Sequence, residues 1–392
     1  MVRRIVGNLD CEVEFAGNKA MVTLPVRVAK AISAFATLLR AFAREGDSLW
    51  TPEPVDLSRL PTLPGLPVPL LESGPLEKLP PALKTLAWAE TPAVEKARER
   101  RSAGTVERTG APPVGGLLDE CLWELPHSPP DVVTKVNHRA FCLEAALCLG
   151  EALPGAALIR SVGELGAHLF QGGASASIDE KWVLKAPHSA AGRSRLKGQG
   201  RTTDQASRRR IERLLELQGV LLFEPWMDRL EDFGALALID QQGVRLLGVH
   251  KQEVDSGGVF RGILLPPEGA QCPGLEKKDE VHLESTVEKV GRMLVEAGYR
   301  GPFGVDAWRY RSVDGQIKLQ ALGEINARMS FGLVARGLAE RLRKSGALEA
   351  GKAVRLRLGR IAPGEESAAR GAKVLSLLLP GVEDPSAAWL ET

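Results

Sequence analysis

The stretch Gly301-Pro-Phe-Gly-Val-Asp-Ala-Trp308, followed by Leu322-Gly-Glu-Ile-Asn-Ala-Arg-Met-Ser330, is the most informative part of this 392-residue chain. In an extended strand, residues two apart share a face. Glu324, Asn326 and Arg328 therefore project together, while Ile325 and Ala327 turn towards packing. Asp314-Gly315 is a hairpin signal between this strand and the one holding Asp306. The register decides whether Asp306 joins that face. A two-residue loop pairs positions summing to 629 and puts Asp306 on the opposite face from Glu324. A three-residue loop, Val313-Asp314-Gly315 with glycine in the left-handed conformation, gives a sum of 628. Asp306 then faces Leu322 and sits diagonal to Glu324 on the same face. Two carboxylates and one amide oxygen are hard ligands suited to Mg²⁺ held together with substrate phosphates. Taken alone, the pattern also fits a half-polar hairpin exposed to solvent.

Working outward, Lys181-Trp-Val-Leu-Lys185 reads as a short apolar strand. Its terminal ammonium must find a partner or shift its pKa. Residues 186–200 are polar, basic and rich in Gly and Ser, and include Ser189, Gly192, Arg193 and Arg195. Small residues let backbone N–H groups approach an anion closely, although no GxxxxGK[ST] loop occurs. A solvated basic loop is the plain alternative. Val220 to Glu224 reads as a strand stopped by Pro225, whose free backbone groups can read an adenine edge. Trp226 and Met227 would pack on that ring, and Asp228, Glu231 and Asp232 follow. Further on, His250, Lys251, Ser256, Gly257, Gly258 and Arg261 form a segment that could line a substrate pocket. A lone histidine there is more often structural than a base, whereas Arg261 could clamp a carboxylate through its fork. Gly332 and Arg336 could support the same pocket.

Composition bounds these readings. Apolar residues at 44% and charged residues at 26% describe a globular protein, and the length suits two or three domains. Fifty-one basic against 49 acidic residues exclude a chain whose whole surface is a nucleic-acid footprint. Two Tyr, seven Trp and ten Phe are too few for a stacking platform. The near-neutral sum hides nine Lys or Arg against two acids between Lys185 and Arg213. Nine of 26 prolines fall between Pro52 and Pro81, which predicts loops between short elements in residues 1–130. Residues 102–116 read as an exposed connection. No run approaches the ~20 apolar residues of a membrane span. Five cysteines without a CxxC pair suggest reduced thiols and a cytoplasmic protein.

The order and spacing of these motifs resemble the ATP-grasp superfamily of ATP-dependent ligases, over residues 131–339, about half of the chain. The resemblance implies an α+β fold in which two α+β subdomains grip ATP, preceded by an N-terminal pre-grasp α/β domain. The divisions are 1–130, 131–227 with a phosphate flap at 186–200, and 228–392 with the metal site and C-terminal tail. By the same resemblance, ATP and Mg²⁺ are the cofactors. Lys185 contacts ATP phosphate under the flap, with Ser189, Gly192 and Arg193. Glu224, Trp226 and Met227 form the adenine hinge, and Asp232, or Glu231, holds the ribose hydroxyls. Asp306, Glu324 and Asn326 match the Mg²⁺ ligands, and Arg328 stands where many members place an arginine against the reacting acyl phosphate. Many members carry Asn-x-Lys where Asn137-His138-Arg139 stands here, so Arg139 would bind phosphate through a fork rather than a point charge.

The implied activity joins a carboxylate to an amine of a small molecule, amino acid or peptide, with neither nucleic acid nor membrane as partner. Dimers are frequent among such enzymes, so a homodimer is compatible. The alternatives are a small-molecule kinase on the same fold and a nucleotide-binding regulatory protein whose catalysis has decayed. The complete Asp306, Glu324 and Asn326 set weighs against the latter. The lack of a Met-Lys-Met signature weighs against a biotin-dependent carboxylase.

Overall fold

The structure is a computed structural model that describes residues 2–17, 24–100, 118–175, 179–189, 195–255, 259–360, 374–381 and 384–392. The connection read at 102–116 lies outside the described residues. Short strands separated by proline-rich loops build the N-terminal part. Strands β1 (Arg4–Val6), β2 (Ser48–Thr51), β3 (Leu70–Ser73) and β4 (Thr85–Ala87) form one parallel sheet in the order β3-β2-β1-β4. Helices α1 (Glu12–Ala16) and α2 (Val26–Ala36) connect β1 to β2, and α3 (Pro92–Glu99) and α4 (Leu118–Trp123) follow β4. Helix α2 runs on into a 3₁₀ turn at Thr37–Phe42.

Helices α5 (Pro130–Val136) and α6 (Arg139–Leu149) come next. A second sheet, β5 (Ala157–Ile159), β6 (Lys181–Lys185), β7 (Arg195–Gln199) and β8 (Leu221–Pro225), is antiparallel with the order β5-β8-β6-β7. Helices α7 (Val162–Phe170) and α8 (Gln205–Gln218) bury its Trp182, Leu184 and Phe223 together with Ile211 and Leu214. Asp204 caps α8 by accepting from the Ser207 N–H at 2.9 Å, and Gly219 ends it in the left-handed region.

The third sheet has eight antiparallel strands: β9 (Asp228–Asp240), β10 (Gly243–Val254), β11 (Phe260–Leu265), β12 (Gly301–Arg311), β13 (Ile317–Asn326), β14 (Val354–Arg360), β15 (Val374–Leu378) and β16 (Ser386–Glu391). Their order is β13-β12-β9-β10-β11-β14-β16-β15. Helices α9 (Lys277–Glu296) and α10 (Phe331–Lys344) share its core, with Leu283, Val287, Leu338 and Leu342 fully buried. Residues 131–149, grouped by sequence with the small unit, place Val133, Val136, Cys142 and Ala145 in this larger core.

That core is continuous with the N-terminal sheet, and one buried cation ties the two. Arg40 is fully buried and donates to the carbonyls of Pro61 (3.0 Å) and Leu377 (2.9 Å). Burial draws its pKa down to about 10. The five cysteines are unpaired, four of them buried. No helix among the described residues is long and apolar enough to cross a membrane.

Candidate active site

Alternation along the strands of the small sheet makes one wall of a pocket of about 630 Å³. Trp182, Leu184 and Leu196 point into the core under α7 and α8, so Lys181, Val183, Lys185, Arg195 and Lys197 face the pocket. Glu224 of β8 projects from the same face, and the Lys185 ammonium donates to its Oε2. Both side chains are nearly buried, at 12% and 10% exposure, so each charge depends on the other. After β8 the Trp226 N–H donates to the Lys181 carbonyl at 2.8 Å, and the Lys197 ammonium sits 3.9 Å from the Trp226 ring centroid. Met227 packs with Leu153, Trp308 and Tyr310 as the apolar floor. Asp232 also lines the pocket. Burial raises its pKa, moderated by Arg229, which donates to Oδ1 at 3.3 Å and lies 3.5 Å over the Trp308 ring. Glu231 is not on the pocket wall and accepts from Lys251 at 2.5 Å, so of the two acids Asp232 is the one presented.

The acidic cluster comes from β12 and β13. Of the two loops the sequence allowed, their turn is the three-residue one: Gly315 has φ +79°, and the Ser312 N–H donates to the Gln316 carbonyl at 2.9 Å. Near the turn the register follows that loop, with Arg309 opposite Leu319 and Trp308 opposite Gln320. It then breaks. Between Asp306 and Trp308 the partner strand carries two extra residues, so Asp306 faces Glu324 directly rather than Leu322. The sequence pattern hid this bulge, yet both carboxylates still share one face. Gln320 braces the bulge by donating to the Leu322 carbonyl at 2.8 Å.

Asp306 accepts from Gln252 at 2.7 Å and from the Asn326 amide at 3.1 Å. Burial, then the facing Glu324 charge, push the Asp306 pKa up to about 6 despite these donors and Arg328. Burial acts on Glu324 in the same direction, but the charges of Arg139, Lys185 and Arg328 outweigh it and hold that carboxyl below its ordinary value. Among the described residues no group of three His, Cys, Asp or Glu gathers around one point. The candidate set is therefore two carboxylates and one amide. Two like-charged oxygen donors facing each other, one with its pKa driven upward, fit a hard cation that takes its remaining ligands from water and phosphate.

Arg139 crosses between the two walls. From the start of α6 it donates to the Ala186 carbonyl, to Ser189 Oγ and carbonyl (each 2.9 Å) and to Glu324 Oε1 (2.9 Å). Asn137 fixes the end of β13 through both amide atoms, accepting from the Ala327 N–H at 3.0 Å and donating to its carbonyl at 3.1 Å. Arg328 lies just past the strand and donates to Glu12 Oε1 at 2.7 Å and to the Met329 carbonyl at 3.1 Å. Burial alone would lower its pKa, but Glu12, Cys11, Glu324 and Asp306 hold it above the ordinary arginine value.

The structure brings Lys185, Glu224, Trp226, Met227 and Asp232 to one pocket wall; Asp306, Glu324 and Asn326 form a cluster off that wall, tied to Ser189 through Arg139 and influenced by the charges of Lys185 and Arg328. Gly192 and Arg193, like Ser256, Gly257 and Gly258, lie outside the described residues. His250 and Arg261 are not brought to the pocket wall. His250 is buried between β10 and the start of α10, against Gly332, and burial followed by the Arg336 charge draws its pKa down to about 3. Arg261 is exposed and tied to Asp255 by bonds of 3.0 and 2.6 Å. Three contributors escaped the sequence reading. Gln252 shares a strand face with His250, and that alternation could have revealed it. Asn137 belonged to a noted motif but was given no role of its own. Glu12 is 316 residues from Arg328 and leaves no local signal.

No family model matches the chain. Butirosin acyl-carrier protein–L-glutamate ligase of Niallia circulans is 28% identical over 110 residues, which are 28% of this chain and 24% of that protein. The chain thus matches about a quarter of the length of this curated relative. Two solved structures align with nearly the whole chain. N5-carboxyaminoimidazole ribonucleotide synthetase from Thermus thermophilus has a TM-score of 0.54 at 14% identity, over 100% of this chain and 93% of that one. N5-carboxyaminoimidazole synthetase from Staphylococcus aureus complexed with ADP has a TM-score of 0.53 at 9% identity, over 99% and 92%. The chain, with its N-terminal parallel sheet, small antiparallel sheet and eight-stranded antiparallel sheet, shares the fold of these two synthetases.

Proposed function

We propose that this chain is an ATP- and Mg²⁺-dependent ligase that activates a carboxylate as an acyl phosphate and joins it to an amine. The observation that supports this reading best is a cationic strand face on an apolar-floored pocket, whose Lys185 acts by its charge on Glu324 of the Asp306, Glu324 and Asn326 cluster, with Arg139 bridging that cluster to the end of the cationic strand. The ADP named in the solved relative supports the nucleotide, and the curated relative's name supports a carboxylic acid as the activated partner.

In this reading Leu153, Met227 and Trp308 pack on the base, the backbone of 224–227 reads its edge, and Asp232 accepts from the ribose hydroxyls. Lys185 and Arg195 take phosphate oxygens. Arg139 exchanges part of its hold on Ser189 and Ala186 for phosphate, which links nucleotide binding to the base of the 186–200 segment. Held by Asp306, Glu324 and the Asn326 amide oxygen, Mg²⁺ would offset charge on the β- and γ-phosphates. The acid's carboxylate attacks the γ-phosphorus, ADP leaves, and the amine then displaces inorganic phosphate from the acyl carbon. Arg328, kept charged by Glu12, faces the acyl phosphate and the oxyanion that forms as the amine adds. Positioning and charge neutralisation carry most of the catalysis in such transfers.

ADP release screened against pooled carboxylates and amines tests the proposal, with hydroxylamine as a trap. Release that requires an acid, with a hydroxamate formed in the trap, is the expected result. A phosphorylated product that survives without an amine would make the protein a kinase. Nucleotide binding without turnover on any pool would make it non-catalytic.

A further inference from the structure

A second cavity, of about 580 Å³, shares no lining residue with the nucleotide pocket. It lies among β10, the loop after β11, the first turns of α9 and the outer turns of α10. Its volume falls in the range of small-molecule sites, and its wall carries both signs of charge. Some of these groups are already engaged. Glu280 accepts from the Cys272 N–H at 3.0 Å, Glu340 accepts from the Leu118 N–H at 3.1 Å, and Arg343 donates to the Lys352 carbonyl at 2.7 Å. Arg245, Arg336, Glu268 and Glu284 make no hydrogen bond or ion pair among the described residues.

Arg336 is the informative one. Its Nε is buried without a partner, and burial draws its pKa down from the ordinary arginine value. The fold makes room for the guanidinium. Strand β10 loses register between Leu246 and Gly248, and Gly248 sits at φ +127°, where a side chain's first carbon would come within 2.7 Å of an Arg336 amino nitrogen. An arginine given this space and left without an acceptor fits a carboxylate, which its planar fork binds through two bonds. Glu268 and Glu284 stand on the same wall, so a polyanion would be repelled, and a ligand with one anionic and one cationic end satisfies both sets.

We propose that this cavity binds a small zwitterion of the α-amino-acid class, with its carboxylate on Arg336 and its ammonium towards Glu268 and Glu284. The site is separate from the ligase chemistry and does not depend on it.

The test is thermal unfolding and titration calorimetry of the full chain with each proteinogenic L-amino acid, alongside acetate, methylammonium and inorganic phosphate. At least one amino acid should raise the unfolding temperature saturably, while acetate and methylammonium do not. Arg336→Met should abolish that shift and leave the ADP-induced shift in place. Glu284→Gln, on a half-exposed helix position, should weaken the amino acid about tenfold or more and covers the case in which Arg336→Met fails to fold. The proposal is overturned if no amino acid binds, if acetate or phosphate acts equally well, or if binding survives either substitution, which would place the amino acid elsewhere.

Discussion

The two halves of the candidate site, the small-sheet wall of the pocket and the β12–β13 acidic cluster, solve opposite electrostatic problems. The small sheet gathers cations on short strands and neutralises two of them locally, Lys185 with Glu224 and Lys181 with Asp179. The β12–β13 pair gathers two carboxylates that face each other, and relief for Glu324 comes from outside the pair, from Arg139 first and then Lys185 and Arg328. A cationic wall with its own counter-charge can stand without ligand. A paired-carboxylate wall that borrows its cation is poised to take up another. Under the proposed function, the first would serve nucleotide affinity and the second turnover.

The sharpest way to break that division is Glu324→Ala. It should lower Mg²⁺-dependent ADP formation by about 10³-fold, with circular dichroism unchanged and ADP affinity largely retained. Full activity would remove the metal assignment. Next is Lys185→Met, which leaves Glu224 buried and unpaired and should cost about 3 kcal/mol of stability in denaturant unfolding. Adding Glu224→Met should restore the midpoint without restoring ADP binding. Were the double variant as unstable as the single, the pair would not be the source of the loss. Arg139→Lys keeps charge but loses the fork, and should raise the KM for ATP about tenfold while kcat changes less.

The smallest effect lies outside both walls and acts as a control. Burial raises the Glu90 pKa, but the hydrogen bond from His127 and the charge of Arg98 outweigh it and hold the carboxyl below its ordinary value. Its stabilisation is complete above that ordinary value and is lost as pH falls through the depressed one. Glu90→Gln should flatten the acid limb of the Tm profile by about 1 kcal/mol or less and leave ADP binding untouched at neutral pH.

What could be read from the sequence followed the range of the interactions. The turn at 313–315 rests on one glycine and was one of the two loops legible in Asp314-Gly315, and Lys185 stood out as a charge at the end of an apolar strand. The bulge was not, because Ala321 and Leu322 are ordinary strand residues and only the pairing with Trp308 and Asp306 shows the two extra positions. The parallel N-terminal sheet was hidden for another reason: strands of three or four residues are too short to show a period. Arg328 was singled out for its spacing from Glu324, but the partner that holds it, Glu12, belongs to the opposite end of the chain.

The bulge in β13 also sets which length changes this site can survive. Side chains alternate, so removing both extra residues between Gln320 and Glu324 would shift the pairing by one full repeat and keep every acid on its own face. Removing a single residue would invert the parity of the strand. Ile325 and Ala327 would then turn towards the nucleotide, and Glu324 and Asn326 into the apolar interior. Length variation in this segment is therefore expected in steps of two.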